Sequence, residues 1–163
     1  MEVEDYRRLW DFSYRARDKL LTAATGMTEA EFTAPTGLVY PTLRALFAHT
    51  ANSESMWLSR WQGLEVLRIR EEEVPNLQIL IERWSGVEER MRAFFDSIDQ
   101  SVIDRPFTVR IRDVEETRPL RDLLTMTLFH TAQHRAEAAE ALSKLGRSPG
   151  ELDYIFYVRE RGL

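Results

Sequence analysis

A chain of 163 residues with 44% apolar side chains and four tryptophans has enough material for one well-buried core and too little for two independent ones, so a single domain over residues 1–163 is expected. Its net charge of -5 and the lack of any basic run argue against nucleic acid as the main partner, since duplex binding needs clustered Lys or Arg. The absence of cysteine removes disulfides, thiolate ligands and a cysteine nucleophile, so a bound metal must take nitrogen or oxygen ligands and any thiol chemistry must use a substrate thiol.

The start, Met1-Glu2-Val3-Glu4-Asp5, is acidic and has neither the cationic nor the apolar region of a secretion signal. No later stretch approaches membrane-spanning length, and the expectation is a cytoplasmic protein without membrane contact. From Tyr6 to about Thr25 the apolar residues Leu9, Trp10, Phe12, Ala16, Leu20 and Ala23 recur at threes and fours, which predicts a first helix stopped by Gly26. Thr28-Glu29-Ala30-Glu31 then reads as a capping box for a short turn. A second long helix begins near Pro41 or Thr42 and runs to about Gln62, with Leu46, His49, Ser53, Met56 and Trp57 on its inward stripe.

Glu71-Glu72-Glu73 reads as a solvated charge cluster ahead of Pro75, a helix-start proline. The third helix carries the strongest periodicity, from Leu77 through Leu80, Trp84, Val87, Met91 and Phe95 to Ile98. Between Arg105 and Thr117 the period changes: Phe107, Val109 and Ile111 alternate with Thr108, Arg110 and Arg112, which predicts a short strand or hairpin. The fourth helix starts near Pro119 and runs to about Leu145, with Leu120, Leu123, Leu124, Thr127, His130, His134, Glu137, Ala141 and Leu145 inward and Gly146 as its stop. The elements together predict an all-α four-helix bundle with a small β insertion before the last long helix. The tail from Leu152 to Val158 is too apolar for a free end, and is expected to pack on the bundle or join a dimer contact.

All three histidines of the chain fall on inward stripes. His130 and His134 stand one turn apart, where positions i and i+4 lie about 40° apart around the axis and about 6 Å along it, so both imidazoles can converge on one ion. His49 can supply a third nitrogen only if its helix packs against theirs. A lone histidine on an apolar face is usually a hydrogen-bonded core residue, and the HxxxH spacing is common; the third inward histidine is what favours a metal. Three neutral imidazoles suit Zn, Ni, Fe or Mn better than Ca or Mg, and leave positions open at which a thiol or water can lose its proton. Glu137 follows His134 by three residues and can reach the same cavity as a partner of a ligand, an extra ligand or a catalytic base; its bland reading is a rim carboxylate. Glu54, rotated away from His49, is expected to make surface or interhelix pairs. Trp57 and Trp61 are expected in the core or in a pocket wall, and Trp84 in the core.

The segment His130-Thr131-Ala132-Gln133-His134-Arg135, with Leu145-Gly146, Pro149 and Asp153-Tyr154 beyond it, resembles the corresponding part of the DinB/YfiT-like superfamily of metal-binding bundles. Leu46-Phe47-Ala48-His49, with Glu54 and Trp57 downstream, is similar to that family's first metal-histidine helix. The resemblance spans nearly the whole chain and implies a divalent-metal site at His49, His130 and His134, an up-and-down bundle of unusual connectivity, and a homodimer. It also implies a small-molecule substrate with a low-molecular-weight thiol as cosubstrate, because characterised relatives include thiol-dependent transferases and isomerases. Other relatives are DNA-damage-induced proteins without an established reaction. The family often has Gln where Glu137 stands here. Two functions follow as expectations: a metal-dependent thiol S-transferase or hydrolase, and a non-catalytic stress or interaction protein whose histidines hold a structural metal or none.

Overall fold

The computed structural model describes residues 1–111 and 113–163; Arg112, the last polar position of the predicted alternation, lies outside the described residues. The chain is mostly helical with one small two-stranded sheet. Helix α1 spans Val3–Ala24, and the Glu2 N–H donates to the Asp5 carboxylate at its start. Helix α2, Glu29–Phe32, is the predicted short turn: Thr28 Oγ1 accepts from the Glu31 N–H while the Glu31 carboxylate accepts from the Thr28 N–H. Helix α3, Leu43–Trp61, is capped by Thr42, whose hydroxyl accepts from the Ala45 N–H.

The three consecutive glutamates form a 3-10 turn, Glu71–Glu73, tied down by Arg44 on Glu71 and Arg83 on Glu73. Helix α4, Leu77–Ser97, takes its cap from Asn76, so Pro75 stands one residue before the cap rather than inside the first turn. A one-turn helix α5, Gln100–Ile103, precedes the hairpin of β1, Pro106–Ile111, and β2, Val114–Pro119. The strands pair antiparallel with Phe107 opposite Arg118 and Val109 opposite Glu116. Helix α6, Leu120–Lys144, follows directly, and α7, Tyr154–Arg161, ends the chain.

Helices α1 and α3 each pack against both α4 and α6. Their apolar faces bury two clusters. One gathers Leu20, Leu43, Leu46, Phe47, Leu80, Trp84 and Leu142. The other gathers Trp10, Trp57, Leu58, Trp61, Met91, Phe95, Leu120 and Leu124, closed by Val109 of the hairpin. The early residues of α3 thus share a cluster with the late residues of α6, and the late residues of α3 with the early residues of α6, so the two helices run antiparallel. Ser13, Arg17, Thr50, Glu54, Thr131, His134 and Arg135 are buried as well.

Glu54 is a fully buried interhelix group rather than a surface one: its carboxylate accepts from Trp84 Nε1 at 2.8 Å, joining α3 to α4. The expected inward place of Leu145 fails, because it lies past the last helical turn and is 42% exposed. The apolar tail packs on α1: Tyr157 is buried, its hydroxyl donates to Asp11, and Phe12 meets Tyr154 edge-on. Among the described residues no helix is long and apolar enough to cross a membrane.

Candidate metal centre

The antiparallel packing of α3 on α6 brings the second turn of one against the middle of the other, and with them the three histidines. One ring nitrogen from each of His49, His130 and His134 lies within 4.8 Å of the other two. His49 Nε2 is 3.3 Å from His130 Nε2, and His134 Nε2 is 3.1 Å from the same atom. A tetrahedral ion with nitrogens at 2.0–2.1 Å holds its ligand atoms about 3.4 Å apart, close to these two separations, so the cluster could hold a first-row divalent ion.

The outer nitrogens of His134 and His130 have polar partners. The Glu137 carboxylate accepts from His134 Nδ1 at 2.6 Å, and Ser53 Oγ lies 3.4 Å from His130 Nδ1. Because a carboxylate only accepts, the His134 proton sits on Nδ1 and its Nε2 lone pair faces the common centre, the orientation a metal ligand requires, while the Ser53 hydroxyl can pair with either tautomer of His130. Burial, together with the neighbouring His134 and His130, pushes His49 down to about 4 from 6.5, and burial followed by His134 lowers His130. Both rings are neutral at pH 7, with lone pairs available. Burial tends to raise Glu137, but the hydrogen bonds from His134 and Gln133 prevail and hold it below the usual carboxylate range, so it stays ionised beside the imidazoles.

The cluster is asymmetric in exposure. His134 is buried, whereas His49 and His130 are half-buried. Three protein donors leave an ion at least one free position for a thiol or water.

Sequence patterning missed Tyr40, which precedes α3 and carries no helical period. Its ring stacks on His49 with centroids 4.4 Å apart and meets His134 edge-on at 5.2 Å. The loop beneath is built to hold it: Thr36 Oγ1 donates to the Tyr40 carbonyl, the Thr36 N–H donates to the Pro41 carbonyl, and Gly37 supplies the positive φ of 73° that the turn needs. Ser53 was placed on the inward stripe, but its hydrogen bond to His130 is visible only once α6 is in position.

The model of the DinB superfamily matches residues 14–138, a stretch that includes all three histidines and Glu137. No curated protein matches the chain significantly. With more than half its length covered by that family model, the chain belongs to the DinB superfamily.

Proposed function

We propose that this chain is one domain, a four-helix bundle with a small β insertion, and that it works as a metal-dependent enzyme. His49, His130 and His134 hold a divalent transition metal, Zn, Ni, Fe or Mn. The observation that carries this reading is the convergence of three imidazole nitrogens within 4.8 Å of one another, with Glu137 on the outer nitrogen of His134. A divalent ion held there would supply Lewis-acid activation of a low-molecular-weight thiol or of water. Glu137 holds His134 in the ligating tautomer and, as an anion at the rim, is placed to take a proton released at the centre. Tyr40 covers one face of His49 and excludes water from that side. The substrate is a small molecule, in a thiol S-transfer or a hydrolysis.

The test is metal-dependent turnover. Protein reconstituted with each ion in turn is given low-molecular-weight thiols and an electrophilic acceptor, and acceptor conversion is followed. At least one ion is expected to give conversion that the metal-free protein and His130→Ala lack. Conversion that no ion raises above the protein-free background would remove the enzyme reading in favour of a non-catalytic protein.

We also propose a cytoplasmic homodimer, formed through the outer α1–α6 face. Leu9, Phe12, Leu128, Phe129 and Ala132 line a shallow apolar depression there, and Phe129 is 71% exposed. Phe129→Glu is expected to turn the dimer into a monomer in sedimentation velocity, with an unchanged helical spectrum. A parent that sediments as a monomer would contradict this assignment.

A further inference from the structure

A histidine that ligates a metal is normally held in orientation by a hydrogen bond at its outer ring nitrogen. Two of the three rings have such a partner: Glu137 lies 2.6 Å from His134 Nδ1, and Ser53 Oγ lies 3.4 Å from His130 Nδ1. His49 has none. Its Nε2 faces His130, and among the described residues its Nδ1 makes no hydrogen bond. His49 is also the one donor of the cluster on α3, so the orientation of its ring decides whether three nitrogens converge or two.

In place of a polar partner His49 has Tyr40. The two rings stack with 27° between their planes and 4.4 Å between their centroids, and the same phenol ring meets His134 edge-on, at 84° and 5.2 Å. His49 and His134 meet each other at 87° and 4.9 Å, so the three rings form a closed set in which every pair is in contact. Turning the His49 imidazole out of this set drives its edge into the phenol face. Tyr40 is held in turn. Its carbonyl accepts from Thr36 Oγ1 at 2.6 Å, Thr36 Oγ1 accepts from the Leu38 N–H at 3.1 Å, and the Thr36 N–H donates to the Pro41 carbonyl at 2.9 Å. Pro41 restricts the backbone of Tyr40, Thr42 then caps α3, and the Tyr40 side chain packs on the cluster that contains Leu46 and Phe47.

We propose that Tyr40 is a positioning residue, whose ring, braced against His134, holds the His49 imidazole in its ligating orientation before an ion arrives, in place of the outer hydrogen bond that His49 lacks. That His49 is a ligand rests on the metal reading above; the ring set is a property of the metal-free protein.

Metal-free parent, Tyr40→Phe and Tyr40→Leu are compared by NMR, and their zinc affinities by competition against a chromogenic chelator. With three histidines in the chain the imidazole C–H resonances are few. Parent and Tyr40→Phe are expected to show Overhauser contacts between the ring at position 40 and His49, together with the upfield shift of a stacked imidazole, and Tyr40→Leu neither. Zinc affinity is expected to be parent-like in Tyr40→Phe and roughly tenfold weaker in Tyr40→Leu. A packing role alone would lower the melting temperature of Tyr40→Leu and leave its zinc affinity at the parent value, which would overturn the proposal. So would a Tyr40→Phe protein as weak as Tyr40→Leu, because the effect would then belong to the hydroxyl. A metal-free parent without contacts between Tyr40 and His49 would overturn it whether or not Tyr40→Leu folds. Parent-like zinc affinity in Tyr40→Leu leaves the three-histidine centre standing, whereas a parent that binds no zinc removes that centre and the role of Tyr40 together.

Discussion

Replacing His130 with alanine is expected to lower divalent-metal affinity by roughly a thousandfold or more, the largest effect of any single change in the chain. His130 is central to the cluster: its Nε2 is the atom from which the other two imidazoles stand at 3.3 and 3.1 Å. Its loss leaves only two imidazole donors, His49 and His134, one on each helix. Glu137→Ala is expected to act more mildly, by about ten- to a hundredfold, because it frees the His134 tautomer without deleting a donor. Competition against a chromogenic chelator measures both. The order His130→Ala far below Glu137→Ala, and Glu137→Ala below the parent, follows from the geometry. Parent-like affinity in His130→Ala would show that the three nitrogens are not the ligand set.

The second large effect lies in the core. Glu54→Ala is expected to cost about 3 kcal/mol of stability, because it opens a cavity and leaves Trp84 Nε1 buried without its acceptor. For a chain of this size that is a fall of about 10 °C in melting temperature. Glu54→Gln keeps an acceptor for Trp84 and should cost far less. The two variants also differ from the parent in pH response. Burial raises Glu54 from 4.5 to about 7, against the opposing pull of Trp84, Arg17 and Arg135. In that window the folded chain holds a proton that the unfolded chain has released, so this residue makes stability fall as pH rises from 4.5 through 7. Because the lowered His49 and His130 add a slope of the opposite sign to both proteins, chemical denaturation across that range should show Glu54→Gln gaining stability relative to the parent as pH rises. A slope unchanged by the substitution would mean that Glu54 is ionised throughout.

The helical periods of Tyr6–Thr25, Leu77–Ile98 and Leu120–Leu145 were legible because an apolar stripe at 3.6 residues per turn is a direct image of the buried face. The hairpin was legible for the same reason at period two: Phe107, Val109 and Ile111 alternate with polar residues, and Val109 closes one end of the core. The HxxxH pair could be read from spacing alone. What sequence could not supply was anything that depends on which helix faces which. Glu54 looked like a surface or interhelix group until α4 brought Trp84 to it, and Ser53 gained its hydrogen bond only from the placement of His130. Tyr40 sits in a loop whose shape depends on Gly37 and on hydrogen bonds around Thr36, none of which has a periodic signature.

The most direct test of the three-histidine centre is elemental mass spectrometry of tag-free protein after reconstitution and desalting, alongside His49→Ala. About one divalent ion per chain in the parent and none in the variant is the predicted result, since His49 is the nitrogen donor that only the packing of α3 on α6 can deliver to the other two. A parent that retains no ion under any reconstitution, or a His49→Ala protein that retains as much as the parent, would contradict it.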